Sequence, residues 1–129
     1  MKGFVDDIEK LTELNNNFRE VLYTGKNLQL VLMALQPGED IGEEVHGDRD
    51  QFFRFETGSG EVWIDDTANL VKADDGVIVP AGAKHNVVNT GSEPLRFYTI
   101  YGPPEHIEGT THKTKADVSH EHFDGHTTE

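Results

Sequence analysis

Four side chains of the kinds that bind metal ions occur in two short stretches near the middle of the chain. Glu44 and His46 are two positions apart, and residues two apart on a strand point to the same face. Gln51 follows after a polar, loop-like stretch, and His85 comes shortly after the turn sequence Pro80-Ala81-Gly82. Two imidazoles, a carboxylate and an amide oxygen suit a divalent metal. The sequence therefore predicts one metal site, held by Glu44, His46, Gln51 and His85.

The composition limits what else the chain can bind. Its 129 residues suit one domain, and the absence of cysteine restricts any metal site to nitrogen and oxygen ligands. The net charge of −13 argues against a nucleic-acid partner and disfavours an anionic membrane surface. No apolar run approaches the roughly 18 residues of a membrane helix, and no signal-peptide core is visible. We therefore expect a cytoplasmic protein with a small-molecule partner.

Short strands separated by Gly-, Pro- and Asn-containing turns dominate the pattern. The repetition of strand and turn every eight to twelve residues or so is typical of an antiparallel sandwich or barrel, so we expect an all-β fold. An amphipathic helix is predicted over Asp6–Leu14, with Ile8, Leu11 and Leu14 on one face and Asp6 or Asp7 as N-cap. The predicted strands are 18–23, 28–35, 41–46, 51–56, 61–65, 70–72, 77–79, 83–89 and 95–101.

Three regions are expected along the chain. Residues 1–27 form the helix and an edge strand, 28–102 form the β-barrel, and 103–129 form a C-terminal extension that is partly disordered. The first part of the extension is expected to lie over the barrel mouth and to bring His106 or His112 near the site. Its remaining histidines are expected to be solvated, and a weak metal-scavenging tract is the alternative; they are His120, His122 and His126.

The spacing of these residues resembles the paired motifs of the cupin family. The first motif has a glycine, a His-x-His pair, an acid and a second glycine, and it aligns with Gly38, Glu44, His46, Gln51 and Gly58. The second motif matches in its turn, histidine and asparagine positions, which are Pro80-Ala81-Gly82, His85 and Asn89. Only the opening glycine of the second motif differs, because Asp74 stands there.

This resemblance implies a single small jelly-roll β-barrel, or double-stranded β-helix, that binds one divalent metal. By position, Glu44 replaces the first histidine of the family and Gln51 replaces the acid, while His46 and His85 are retained. The carboxylate has moved within the set, but the ligands keep one negative charge in total. Glu44 is either a ligand or a general base beside a metal held by the other three. A degenerate cupin without metal is the alternative.

The metal is expected to be Zn, Mn, Fe or Ni, and several functions remain open. The predicted function is a small-molecule enzyme, either isomerase-like or a dioxygenase, with Phe53, Phe55 and Tyr98 in the substrate pocket. The alternatives are a non-catalytic metal-binding or ligand-binding module and a purely structural barrel. A phosphosugar would need a cation in the cavity, for which Arg54, Arg96 and Lys84 are the candidates. The apolar run over 28–35 predicts a homodimer formed through the outer sheet face.

Overall fold

Ten β-strands make up most of the regular secondary structure in a computed structural model that describes residues 1–129. One short helix, α1 (Ile8–Leu14), precedes them, and a single 3₁₀ turn (Lys115–Asp117) follows. The strands are β1 (Arg19–Thr24), β2 (Gln29–Leu35), β3 (Glu44–Val45), β4 (Asp50–Thr57), β5 (Ser59–Ile64), β6 (Thr67–Lys72), β7 (Gly76–Val79), β8 (Lys84–Val88), β9 (Leu95–Gly102) and β10 (Thr111–His112). Neither helix is long and apolar enough to cross a membrane.

The strands form two antiparallel sheets with the hydrophobic core between them. The larger sheet has the order β10-β1-β2-β9-β4-β7, and the smaller sheet has the order β3-β8-β5-β6. Phe53 and Phe97 from the larger sheet meet Val62 and Val87 from the smaller one in a single buried cluster. Alternation of inward and outward residues along each strand produces this arrangement. The predicted all-β, jelly-roll fold is confirmed.

The apolar run of β2 is buried on both faces within one chain. All seven residues of β2 are buried, and Leu30 and Leu32 on its outer face are 8% and 2% exposed. The run therefore leaves no free apolar face, and the predicted dimer surface on β2 is not present. Only Leu28, which precedes the strand, is exposed, at 55%.

Helix α1 begins as predicted but packs with a different face. The side chain of Asp7 accepts a hydrogen bond from the backbone N–H of Lys10 and caps the helix. Thr12 is fully buried, whereas Leu14 is 67% exposed, so the expectation that Leu14 lies on the packed face is wrong. A spacing of three residues drifts by about 60° per step on a helix with 3.6 residues per turn, and Leu14 has rotated away from the face of Ile8.

Two short segments differ from the predicted strands. Only Glu44–Val45 of the predicted strand 41–46 is regular, because Gly42 has a φ of 105° and breaks the extended chain. Strand β10 is not among the predicted strands, but Thr111 and His112 pair with Glu20 and Arg19 of β1. This pairing adds an edge strand to the larger sheet.

Two turn positions of the aligned motifs show why their residue types matter. Gly58 joins β4 to β5 with a φ of 84°, and a Cβ atom there would lie 2.6 Å from the carbonyl oxygen of Pro94. Asp74, which stands where the family motif has glycine, has a φ of 76°. Aspartate tolerates this left-handed conformation better than most residues. The difference from the motif is therefore compatible with the same turn.

The C-terminal extension returns along the body of the protein. The backbone N–H of Phe123 donates to the carbonyl oxygen of Glu105 at 2.8 Å, and that of Thr128 donates to Thr24 at 2.8 Å. At the end of the chain, the carboxylate of Glu129 accepts a hydrogen bond from the hydroxyl of Tyr23 at 2.6 Å. The extension thus contacts both the site region and β1, and its predicted partial disorder stays a prediction about the protein in solution.

Candidate metal centre

Glu44, His46 and His85 converge at one end of the two sheets. Glu44 in β3 lies directly opposite His85 in β8, so their side chains share a face of the smaller sheet. His46 follows β3, and its Nε2 lies 2.9 Å from Oε2 of Glu44. Ligand atoms of all three residues lie within 4.8 Å of one another. Two ligands of one ion with bonds of about 2.1 Å are separated by about 2.9–3.4 Å, so the group could hold a metal ion.

Gln51 reaches the same end of the fold from the larger sheet. It is the cross-strand neighbour of Tyr101, whose ring centroid lies 6.0 Å from that of His46. Its Nε2 donates to Oγ1 of Thr99 at 2.9 Å, and Thr99 in turn donates to the carbonyl oxygen of Phe52 at 2.8 Å. The amide nitrogen of Gln51 is bonded to Thr99, so Oε1 is on the other branch of the amide. This oxygen is buried without a hydrogen-bond partner. An acceptor left unpaired in the interior suits a cation.

One ring nitrogen of each imidazole, Nδ1, lies near an oxygen atom outside the group. Nδ1 of His85 lies 3.3 Å from the carbonyl oxygen of Ala83, which places the proton on Nδ1 and the lone pair on Nε2. Nδ1 of His46 lies 3.7 Å from Oε2 of Glu105, while its Nε2 faces Glu44. A carboxylate or carbonyl behind the far ring nitrogen is the usual support of a metal-binding histidine.

The electrostatics favour the deprotonated forms that bind metals. Burial lowers the pKa of His85 below its ordinary value, so its imidazole is neutral at pH 7. For Glu44 burial acts to raise the pKa, but the hydrogen bond with His46 and nearby positive charges outweigh it and lower the pKa overall. A neutral imidazole beside an ionised carboxylate is the protonation state that a divalent cation requires.

A layer of polar side chains surrounds the group on its outer side. Glu105, 7% exposed, forms an ion pair with Arg49, and its Oε1 lies 3.2 Å from Nδ1 of His122. Gln29, which is fully buried, accepts hydrogen bonds from the backbone N–H groups of Glu105 and His106 at 3.0 and 2.9 Å. Gln29 therefore holds the bend that places Glu105 behind His46.

Of the two histidines expected near the barrel mouth, His106 lies closer to the group. Nε2 of His106 lies 3.1 Å from the hydroxyl of Tyr101, and burial lowers the pKa of His106 to about 2. The same cause, burial, raises the pKa of Tyr101. His112 lies against Arg19 at the edge strand and is not in the ligand group. Both His106 and Tyr101 thus stay neutral at physiological pH. Tyr101 packs against His46, and His106 contacts the hydroxyl of Tyr101.

The three aromatic residues predicted for the substrate pocket lie in three different environments. The ring of Phe53 lies 6.3 Å from that of His85 and closes the inner side of the site. Phe55 is fully buried in the core and stacks against Phe53 at 6.4 Å. Tyr98 faces the opposite side of β9 and packs against Phe52 at 6.2 Å, so its placement in the pocket is wrong. The physical reason is strand parity, since Tyr98 is one residue from the inward-facing Thr99.

A cavity of about 560 Å³ opens directly beside the group. The cations expected for a phosphosugar do not line it: Arg54 pairs with Glu56, Arg96 binds the backbone of Asn15, and Lys84 lies near Asp66. Its lining is mostly polar and includes Glu44, His46, Asp48, Arg49, Glu105 and His122.

Glu105, Gln29 and Arg19 near the site were not predicted from the sequence. A signal existed for two of them, because Gln29 and Arg19 occupy inward positions of strands whose other inward residues are apolar. A polar side chain at a core position needs a partner, and that makes it a candidate for the site. No such pattern marks Glu105, which lies in an irregular segment.

The fold and the ligand group define a small jelly-roll protein with a candidate metal centre at one end. The chain belongs to the cupin family, whose domain model matches residues 31–101.

Several proteins are similar over most of the chain. The protein YrkC of Bacillus subtilis is 50% identical over 123 residues, which are 91% of this chain and 66% of YrkC. The chain thus spans just under two thirds of the length of that relative. The crystal structure of BH2720 from Bacillus halodurans is similar with a TM-score of 0.88 and 46% identity, over 90% of this chain and 92% of that chain. A Klebsiella pneumoniae protein with a double-stranded β-helix domain shares the fold, with a TM-score of 0.68 and 22% identity over 79% and 91% of the two chains.

Proposed function

We propose that this cupin is a metal-dependent enzyme that acts on a small molecule, with Glu44, His46, Gln51 and His85 as the ligands of one divalent ion. The observation that carries the proposal is the convergence of Glu44, His46 and His85, whose ligand atoms lie within 4.8 Å of one another, and the buried, unpaired Oε1 of Gln51 supports it. The unpaired oxygen of Gln51 is unfavourable in a protein interior, and a cation held by the three other residues would satisfy it.

The side of the Glu44–His46–His85 group that faces the cavity is suited to binding a small molecule. The side chain of Glu44 is 36% exposed, against 12% for His46, so the carboxylate is the member of the group most accessible from the cavity. When bound, a divalent ion there supplies Lewis acidity, or redox chemistry if it is iron. Glu44 orients the bound molecule or accepts its proton, and Phe53 keeps water from the inner side of His85.

The test is elemental analysis of untagged protein. We expect one metal ion per chain in the wild type and none in the double variant His46→Ala, His85→Ala. The matched control is His120→Ala, His126→Ala, which removes two histidines of the C-terminal extension and should retain the ion. Iron would favour the dioxygenase, and Zn, Mn or Ni the isomerase-like enzyme. The wild type is also dialysed against Zn, Mn, Fe and Ni in turn. The proposal is refuted if it retains none of these ions.

The variant Glu44→Gln separates the two roles of the carboxylate. If Glu44 is a ligand, the variant loses metal affinity by at least about tenfold, because an amide oxygen carries no charge. If Glu44 is a base, the affinity is unchanged. A non-catalytic binding module would bind metal and a small ligand but return the ligand unaltered after incubation.

The location and assembly of the protein are further proposals. The net charge of −13 supports a protein that binds neither nucleic acid nor anionic membranes, and we place it in the cytoplasm. We also retain the homodimer, although not through β2.

A further inference from the structure

Arg19 is a buried guanidinium that has no carboxylate partner. It is 4% exposed and lies on the inward face of β1, opposite Met33 of β2. The other buried charged residue of the chain, Glu105, forms an ion pair with Arg49, whereas none of the ion pairs includes Arg19. An uncompensated charge in the interior is strongly unfavourable, so a site of this kind calls for an anion.

The hydrogen-bonding capacity of Arg19 is also mostly unused. Its single hydrogen-bond partner is Nδ1 of His112, at 3.5 Å from Nη1, and its Nε is buried without any partner. The guanidinium lies 5.3 Å from the centre of the Phe18 ring, a contact that positions the cation without satisfying its N–H groups. A guanidinium has five donors in a planar fork, which matches the two oxygens of a carboxylate.

Arg19 faces a second cavity, of about 240 Å³, that borders the candidate metal centre. Glu44 and Glu105 line both this cavity and the larger one, so a molecule held by Arg19 lies beside the ligand group. The outer wall comes from the C-terminal extension, namely Val118, Ser119 and His120.

The charges around this cavity favour a carboxylate over a phosphate. Lys115 lines the cavity but is paired with Asp40, whereas Arg19 lines it without an ion-pair partner. The carboxylates of Glu44 and Glu121 also line it and would repel a dianion such as phosphate. A single carboxylate neutralises Arg19 without adding a second negative charge.

We propose that Arg19 binds the carboxylate of a small organic acid whose other end reaches the Glu44–His46–His85 group. This inference rests on the proposed function and assigns its substrate class. Arg19 would anchor the acid, and its position on a strand of the rigid larger sheet would set the distance between the anchor and the reacting end.

The experiment titrates the Mn(II)-loaded protein of 129 residues at neutral pH with the monoanions glycolate, pyruvate and lactate by calorimetry. Glycolamide serves as the uncharged analogue, and inorganic phosphate as the other anion. We expect at least one acid to bind saturably, with a Kd at least tenfold weaker for Arg19→Gln and partly restored for Arg19→Lys. Glycolamide and phosphate should not saturate. The matched control Arg96→Gln removes a guanidinium that binds Asn15 and Asn16 away from the cavity, and it should bind the acids like the wild type.

A stability measurement separates binding from a structural role. We expect metal-free Arg19→Met to have a Tm equal to or above that of the wild type, because it removes an unpaired buried charge. A clearly lower Tm would mean that Arg19 serves the fold, and would overturn the inference.

Metal titrations of the same variants keep this inference separate from the proposed function. Metal binding without acid binding would overturn the role of Arg19 and leave the metal centre standing. Acid binding to a protein that takes up no metal, lost in Arg19→Gln, would support the Arg19 site and overturn the metal centre. Saturable phosphate binding that depends on Arg19 would overturn the assignment to carboxylates.

Discussion

At the scale of single residues, the site depends on how each polar side chain is held by a second one. Thr99 fixes the amide of Gln51, Ala83 fixes the ring of His85, and Glu105 stands behind His46. The contacts with Thr99 and Ala83 leave Oε1 of Gln51 and Nε2 of His85 available as acceptors, and Nε2 of His46 lies against Glu44. The orientation of the ligands is therefore built into the protein before any ion binds.

The amide of Gln51 gives the first prediction. Gln51→Leu removes the unpaired Oε1, so the metal-free variant should be at least as stable as the wild type while its metal affinity falls by at least about tenfold. Competition with a chelating dye measures the affinity, and urea unfolding measures the stability. Gln36→Leu, at an exposed position, is the control. Wild-type affinity in Gln51→Leu would show that the amide is not a ligand.

His106 predicts how stability depends on pH. Its pKa is about 2 in the folded protein, against an ordinary value of 6.5, so below pH 6.5 the unfolded chain binds a proton that the folded chain does not. The contribution of neutral His106 is complete above pH 6.5 and is lost as the pH falls from there towards 2, by up to about 1.4 kcal/mol per pH unit.

Urea unfolding of metal-free protein at pH 7.5 and pH 5.0 tests this dependence. The loss of stability between the two values should be smaller in His106→Gln than in the wild type. His126→Gln alters a side chain that is 84% exposed and should behave like the wild type. An identical loss in all three proteins would argue against a neutral, buried His106.

At the scale of elements, a small number of side chains tie strand ends together. Asn89, 1% exposed, follows β8 and donates to the carbonyl oxygens of Leu35 and Glu93 at 2.9 and 2.8 Å. Its Oδ1 accepts a hydrogen bond from the backbone N–H of Gly91 at 2.9 Å. Asn89 thus joins the end of β2 to the turn between β8 and β9, which explains an asparagine at this motif position without assigning it any chemistry.

We predict that Asn89→Ala lowers the free energy of unfolding by about 2–4 kcal/mol, because it leaves buried backbone groups unpaired. Metal affinity, measured well below the unfolding transition, should change little. Asn69→Ala removes a more exposed amide that donates to Val62 at 3.2 Å, and it should cost less than about 1 kcal/mol. Equal losses in the two variants would contradict the structural role of Asn89.

The C-terminal extension is the element whose order is open to direct measurement. The amides of Phe123 and Thr128 donate to backbone carbonyls of Glu105 and Thr24, whereas that of Glu121 makes no such bond. Hydrogen exchange followed by NMR should show protection at Phe123 and Thr128 and fast exchange at Glu121. Fast exchange at all three would establish the disorder that the composition predicts. The extension would then not form a fixed wall of the cavity that Arg19 lines.

At the scale of the whole molecule, two of the free sheet edges carry strongly exposed apolar residues. Leu70 in β6 and Ile78 in β7 are 82% and 68% exposed, and they border one shallow surface cavity. β6 and β7 each end a sheet, so backbone groups are unpaired there. This Leu70–Ile78 patch is the expected contact surface of the homodimer.

Light scattering at micromolar concentration should therefore give the mass of a dimer for the wild type and of a monomer for Leu70→Glu, Ile78→Glu. Each glutamate would be desolvated in the contact without a partner. Leu14→Glu, at an exposed residue of α1, should remain dimeric. A monomeric wild type would exclude the homodimer.

The local pattern of the sequence was enough to predict the fold class and to select the ligand group. Strand alternation and turn residues are patterns that extend over only a few positions of the chain. Glu44 and His46, two positions apart, lie within one such pattern. His85 could be added because the second motif has its own turn, Pro80-Ala81-Gly82. These features depend on the chain near each residue and can be detected without knowing its distant neighbours.

Only the tertiary structure decided which distant residues meet. The order of strands in the larger sheet places Arg19 beside the Glu44 cavity, and the return of the chain after β9 places Glu105 behind His46. The parity of β9 turns Tyr98 to the outer face. Sheet order and strand parity are set by the packing of the whole core, which no short stretch of sequence encodes by itself.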